Sequence, residues 1–293
     1  MDEPGPRWGV SGGAAVAPSD HQRTGRDGAL TLRFERRDNR TVLAGCRFTL
    51  PLQVLAPVAL DDDACVVSLL NPTGGVVGGD RLSVDVDVER DAHACLTTPS
   101  ATRIYRAAAE PAEQRVRLHV APGATVEWVP DHTIPSAGAA LRQSLEIEAG
   151  AGARLIAVDA FAAGRVARGE AWCFARLDSA LTVRDAAGLV FHDRFVLTGG
   201  DRWRRIGFAE DHAYFATVVA VADAGLERFV ADLPGALAAV DGARAGVARL
   251  PRRGVLVRCL ASNAPALADA LAAVWALARG RLLGRAPLSL RKL

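Results

Sequence analysis

Lysine is all but missing from this 293-residue chain: of 35 basic residues, one is Lys292 and the rest are arginine. A P-loop needs an internal lysine on the nucleotide phosphates, so the chain is not by itself a Walker-type nucleotide hydrolase. Schiff-base chemistry on a lysine amine is excluded for the same reason. No pair of cysteines forms CxxC. Cys46, Cys65, Cys95, Cys173 and Cys259 are odd in number and far apart. That argues against a disulfide framework or a structural zinc site, and for small buried hydrophobes in a reducing cytosol. No apolar run approaches the roughly 20 residues needed to span a bilayer. Residues 1–29 are rich in Gly, Ala and Pro, carry charges throughout and lack the apolar stretch of a secretory signal. They read as a disordered tail. A formal charge of +2 leaves no electrostatic footprint for nucleic acid.

What is present is apolar and alternating. Half of the residues are hydrophobic, enough for a sizeable core in one domain over residues 30–293. From Leu30 to about Leu197 the signal is β. Leu82, Val84, Val86 and Val88 fall on one face, with Ser83, Asp85, Asp87 and Glu89 on the other, the period of two of a half-buried strand. Segments 115–120 and 142–148 repeat the pattern. Each is followed by a small-residue break and a second apolar run. The breaks are Asp91-Ala92-His93-Ala94, Ala121-Pro122-Gly123-Ala124 and Gly150-Ala151-Gly152-Ala153. Asp185-Ala186-Ala187-Gly188 reads as a fourth copy. Aligning His93, Gly123, Gly152 and Gly188 gives a period of about 30 residues, which predicts stacked strand pairs in a β-solenoid-like, mainly β domain. An antiparallel sandwich with hairpins of similar length is the competing reading.

Two α-helices are expected toward the C-terminus. The first covers residues 225–240 and is interrupted by Pro234. The second starts at the Ser262-Asn263 cap with Pro265 in its first turn and ends at Gly280. Residues 255–260 between them read as a strand. The apolar stripe of Leu271, Val274 and Trp275 is a candidate partner contact unless it packs on the sheet.

Several segments carry candidate chemistry. Gly9-Val10-Ser11-Gly12-Gly13 fits GxSxG but has neither the strand before it nor the helix after it that a nucleophile elbow requires. Asn71-Pro72-Thr73-Gly74-Gly75-Val76-Val77-Gly78-Gly79-Asp80 feeds a strand rather than a helix, which speaks against dinucleotide binding. There Asp80 either caps turn amides or serves function. Asp131-His132, His192-Asp193 and Asp211-His212 pair metal-ligand types, yet adjacent strand residues point to opposite faces. Arg103 and Arg106 lie in a hydroxyl-rich stretch that begins at Thr97 and suits carboxylate or phosphate contact. Glu127, Asp159 and Glu170 adjoin apolar runs, where a carboxylate must be paired, protonated or metal-bound.

Taken in order, these segments resemble one family. The matching residues are Asn71-Pro72, Gly74-Gly75 and Gly78-Gly79-Asp80, then Leu96-Thr97-Thr98 and Ala101-Thr102-Arg103 with Tyr105-Arg106. They continue with Pro122-Gly123-Ala124, Glu127-Trp128-Val129-Pro130, Thr133-Ile134, Gly164-Arg165 with Gly169-Glu170, and His192-Asp193-Arg194. From about Leu30 to its end the chain resembles the UreD (UreH) urease accessory proteins. The Leu290-Arg291-Lys292 ending is similar to their actinobacterial branch.

That resemblance implies a cytoplasmic scaffold and not an enzyme: a helical stack of strands with two helices. It implies binding to UreF, which recruits the GTPase UreG, in a dimeric complex that docks on apo-urease. Nickel would pass in transit, with no cofactor permanently bound, and neither nucleic acid nor membrane is a partner. Asp80, Glu127 and Glu170 match acidic motif positions of the family. Asp159 stands where the family more often has glutamate. The resemblance casts these four as lining a nickel passage, where oxygen ligands release the ion faster than thiolates. Many members have Gln-Glu where this chain has Asp131-His132, which makes His132 a fifth candidate, and Gln-Ala where it has Pro99-Ser100. The charge swaps Asp80→Lys and Glu127→Lys are expected to abolish urease activation and leave the fold intact. The competing function is a β-solenoid carbohydrate-active enzyme with paired carboxylates. An aromatic content of 5% offers few platforms for sugar rings and counts against it.

Overall fold

A computed structural model describes residues 27–59, 63–107, 110–207, 209–210 and 212–290. The GxSxG match, Asp211 and Arg291-Lys292 lie outside them, as does most of the expected tail. Its last three residues are already in a strand.

β1 (Asp27–Arg37) and β2 (Arg40–Phe48) form a hairpin. The short β3 (Gln53–Val54) and β4 (Val58–Ala59) lead to β5 (Cys65–Leu70). Successive coils follow. β6 (Arg81–Val88), β7 (His93–Thr97) and β8 (Thr102–Ile104) make one. β9 (Ala112–Val120), β10 (Thr125–Trp128) and β11 (Thr133–Pro135) make the next. β12 (Ala140–Ala149) and β13 (Arg154–Ala162) precede a hairpin of β14 (Arg176–Asp185) and β15 (Gly188–Thr198). β16 (Tyr214–Val221), α1 (Leu226–Leu237), β17 (Ala243–Arg249), β18 (Gly254–Ala261) and α2 (Ala264–Ala278) complete the order.

The chain winds between two sheets. One runs β15–β14–β12–β9–β6–β1–β2, the other β17–β18–β16–β13–β10–β7–β5–β3. β6, β9, β12 and β14 are parallel neighbours, as are β5, β7, β10 and β13. This is a β-solenoid, the expected architecture. Its lumen is filled by ladders such as Val86, Leu118 and Ile147, all buried. Each such side chain contributes roughly 1.5–3 kcal/mol on leaving water.

Tight turns set the winding. Ala92 N donates to Glu89 O, Ala124 N to Ala121 O and Ala153 N to Gly150 O, at 3.0 to 3.1 Å. The third residue of each turn has positive φ: Asp91 at 56°, Gly123 at 76° and Gly152 at 67°. So Asp91, and not His93, is the structural equivalent of Gly123. The turns stack closely. A Cβ on Gly123 would stand 2.3 Å from Asp91 Oδ1. The fourth copy expected at Gly188 is not a rung. There Asp185 Oδ1 accepts Ala187 N (2.9 Å) in a two-residue turn, which folds β15 back antiparallel on β14 in the same sheet. Beyond β15, an aromatic stack plugs the lumen. Phe161 and Phe215 lie 5.3 Å apart, and Trp172 stacks on Phe215 at 6.2 Å and on Trp203 at 5.9 Å between centroids.

Both helices pack on the outer face of the second sheet, where Ile156, Val158, Val218 and Val257 meet Phe229, Leu233, Leu267 and Val274. α1 runs through Pro234 and ends three residues later. The lost amide donor therefore falls in the last turn, where helix bonds are already running out. Asn263 caps α2 as expected, accepting Ala266 N at 2.9 Å. Gly280 does not end it: a π-helical turn, Arg279–Leu283, continues to Gly284 at φ 65°. The stripe proposed as exposed is covered. Val274 and Trp275 are buried in this second core and Leu271 packs against it, because an apolar helix face stabilises by burial on the sheet. Two cysteines also depart from expectation: all five are free, but Cys46 and Cys173 are exposed.

Leu118→Ala removes a lumen side chain and should cost about 2–5 kcal/mol in urea unfolding. Leu189→Ala, at a half-exposed position of β15, should stay within about 0.5 kcal/mol of wild type.

Candidate functional site

The two long edges of the solenoid differ. One carries the tight turns. The other carries the long connections, and the motif segments gather there. Val76 bridges Ile104 in parallel, β8 pairs with β11, and β11 with the end of β13, which closes that edge with a short third wall. The glycine-rich turn presses on it. A Cβ on Gly75 would lie 2.7 Å from Arg103 O, and one on Gly78 would lie 2.6 Å from Ala107 Cα. Asn71 Nδ2 donates to Gly75 O (3.2 Å), Tyr105 Oη to Gly74 O (3.2 Å) and Thr97 Oγ1 to Val129 O (2.8 Å). Thr98 Oγ1 accepts Asp131 N (2.9 Å).

Beneath this wall is a cavity of roughly 180 Å³. Asn71, Gly74, Gly75, Thr98, Arg103 and Trp128, all from the motif segments, line it, together with Asp131. The lumen here carries an unusual polar row, of which Gln114 and Gln143 line the cavity. Gln114 of β9 registers with Gln143 of β12, which registers with Ser179 of β14. These positions fall in the inward phase of strands that are otherwise apolar there. Across the lumen, Asp159 accepts from Gln143 Nε2 and from Ser179 Oγ, both at 2.8 Å. Burial pushes the Asp159 carboxyl up to about 6, against the pull of the Ser179 and Gln143 hydrogen bonds, and Asp193 adds to the rise. Sequence reading missed Gln114, Gln143 and Ser179. Their signal was a polar residue at an inward position in three successive rungs.

Of the five carboxylate and histidine candidates, only Asp159 lines the cavity. Asp80 is buried in its own turn, where Oδ2 accepts Val77 N at 2.8 Å. Glu170 forms a bidentate pair with Arg165 (2.7 and 2.5 Å) and accepts Ala137 N (3.2 Å). That guanidinium holds the Glu170 carboxyl below its ordinary value. The pair anchors the β13–β14 loop, at whose start a Cβ on Gly164 would lie 2.2 Å from Glu170 O. His132 meets the Tyr214 ring edge-on at 5.7 Å, while its neighbour Asp131 faces the cavity. Likewise His192 bonds Thr182 and Asp193 bonds Arg258, as opposite strand faces require.

Glu127 lies on the other face of its sheet, fully buried under α2. His93 Nε2 donates to it at 2.7 Å and Trp275 Nε1 at 2.5 Å, and Arg279, itself fully buried, forms an ion pair with it. Arg279 Nε also donates to Ala286 O (2.8 Å). Nearby, Asp63 pairs with Arg36 and with Arg285. A lysine at 127 would face Arg279 in a site closed to water, so Glu127→Lys is expected to disturb the fold rather than leave it intact. Asp80→Lys likewise removes a turn cap. Among the described residues no group of three or more His, Cys, Asp or Glu is placed to hold a metal ion. The five candidates are thus not brought together.

The sequence pattern described as UreD urease accessory protein matches residues 26–292. The chain belongs to the UreD family. One relative, "Urease accessory protein UreD" of Alkalilimnicola ehrlichii, is 36% identical over 280 residues, covering 94% of each chain. The protein of that name from Deinococcus radiodurans is 35% identical over 283 residues, covering 96% of this chain and 99% of its own. The one from Pseudomonas aeruginosa is 36% identical over 261 residues, covering 87% and 90%. These relatives give no support to an actinobacterial branch. UreD proteins are non-catalytic accessory factors of urease maturation, so the carbohydrate-enzyme reading falls.

Removing Glu127 takes an ion-pair partner from the buried Arg279. Glu127→Ala should cost about 3–5 kcal/mol, read from denaturant midpoints. At Asp159 the folded protein keeps its proton to higher pH than the unfolded chain does. Wild type should therefore lose stability relative to Asp159→Asn as pH rises from about 4 toward 6, by at most about 3 kcal/mol, and run parallel to it above that range.

Proposed function

We propose that this chain is the cytoplasmic scaffold of a urease-maturation complex. It binds UreF, which brings the GTPase UreG, and the dimeric assembly docks on apo-urease. Nickel, the cargo, passes through the solenoid lumen, and the chain keeps no resident cofactor. Residues 30–293 act as one unit in this role. No helix among the described residues is long and apolar enough to cross a membrane.

The polar row carries this reading. Three strands give up an inward apolar position to Gln114, Gln143 and Ser179, opposite a carboxylate, in a lumen that is otherwise hydrocarbon. Burying such groups costs stability unless they serve something. Oxygen and amide groups alone bind nickel weakly, which suits an ion that must leave again. Within this reading Asp159 is the station inside the passage, with Asp131 at its mouth and His132 beside it. Asp80, Glu127 and Glu170 hold the walls through which the path runs.

The test is an operon with only this chain deleted and then restored. Urease should be inactive and nickel-poor on deletion, and recover on restoration. Restoration with Asp159→Ala should leave complex assembly unchanged and lower nickel per urease active site roughly tenfold. Full urease activity without the chain overturns the scaffold role. Full nickel loading with the variant overturns the role of Asp159.

A further inference from the structure

The connection between β15 and β16 leaves the solenoid on the same edge as the cavity mouth. Its base is held from within. Gly200 N donates to Trp172 O (2.9 Å), and Trp203 Nε1 donates to Thr198 O (2.7 Å) while its ring stacks on Trp172. Arg202 donates to Thr198 Oγ1 (2.7 Å) and lies 4.5 Å over the Trp203 ring. Past this anchor the chain turns outward. Arg204 and Arg205 are exposed, and among the described residues neither guanidinium has an ion-pair partner. Within this loop Glu210 is turned to Arg244 at 3.7 Å. Ile206 follows at 92% exposure, whereas among the described residues the next most exposed large hydrophobic side chain reaches 53%.

We propose that Arg204, Arg205 and Ile206 form a preformed docking point for a partner protein whose surface is acidic around an apolar recess. The inference rests on the accessory-complex reading above and adds where one partner sits: over the edge on which the lumen opens. Exposed arginines with no ion-pair partner among the described residues, beside a bare isoleucine, match an acidic rim around an apolar socket. Arginine and tryptophan are over-represented where binding energy concentrates, and a tip braced on two stacked indoles loses little freedom on docking. One isoleucine is too small an apolar face to hold a lipid surface. The near-neutral chain lacks the basic stripe that nucleic acid needs.

The experiment uses the full chain and, as separate probes, purified apo-urease and purified UreF from the same operon. Arg204→Glu/Arg205→Glu and Ile206→Asp are compared with wild type and with Arg115→Glu, a charge reversal on the exposed face of β9. All four should share one thermal midpoint, since each substituted side chain is exposed. Affinity for one probe should fall about tenfold in both loop variants and stay unchanged in Arg115→Glu. The loss from charge reversal should shrink at high salt and the loss from Ile206→Asp should not. Binding of both probes within about twofold of wild type by both loop variants overturns the docking point. If wild type binds neither probe, the accessory-complex reading itself fails.

Discussion

In-register stacking of β6, β9, β12 and β14 brings residues a full coil apart in sequence side by side. Gln114 meets Gln143, and Gln143 meets Ser179, although the two coils are 29 and 36 residues long, because the tight turns keep one four-residue length and the connections on the opposite edge absorb the difference. The turns enforce this through one residue of positive φ and one buried alanine apiece. A one-residue change in one of these tight turns would break the inward–outward phase between the two strands it joins. The lumen row, the third wall and the motif edge all inherit their positions from that constraint.

A second anchor lies between the two cores. Glu127 points away from the lumen, while its neighbours Val126 and Trp128 point into it. It therefore ties the solenoid to α2 and the π-helical turn without entering the lumen. Arg279, Trp275 and His93 satisfy it from three elements. Such a cluster does little for net stability compared with apolar packing, but it fixes which way the helices lie. The helical layer is thereby referenced to the same β10 whose other face lines the cavity.

Much of this was legible in the chain. Period-two alternation gave the long strands, and the small-residue breaks gave the turns, because both depend on local chemistry. The Asn263 cap is equally local. What escaped depends on contacts distant in sequence. Gly188 imitates the third position of a rung turn, yet Asp185 makes a two-residue reversal there. Gly280 looks like a helix stop, but packing of Leu282 and Leu283 carries the chain on as a π turn. Among the site residues, Asp159 was found because a carboxylate beside an apolar run is conspicuous. Glu127 and Glu170 showed the same sign for a different reason, since the arginines that pair with them cannot be identified from spacing. Gln143 and Ser179 were unremarkable until registry set them against Asp159.

Parallel stacking has no inherent end, because each rung offers the next an open row of amides and carbonyls. Here every terminus of the stack is turned. β2 runs antiparallel to β1, β15 to β14, β3 and β4 to β5, and β16 to β13. A second copy approaching either end meets strands that do not continue the parallel stack and, beyond β15, a plug of aromatic rings. The parallel stack therefore does not continue past its own ends, and the length of the lumen is set by this chain's rungs.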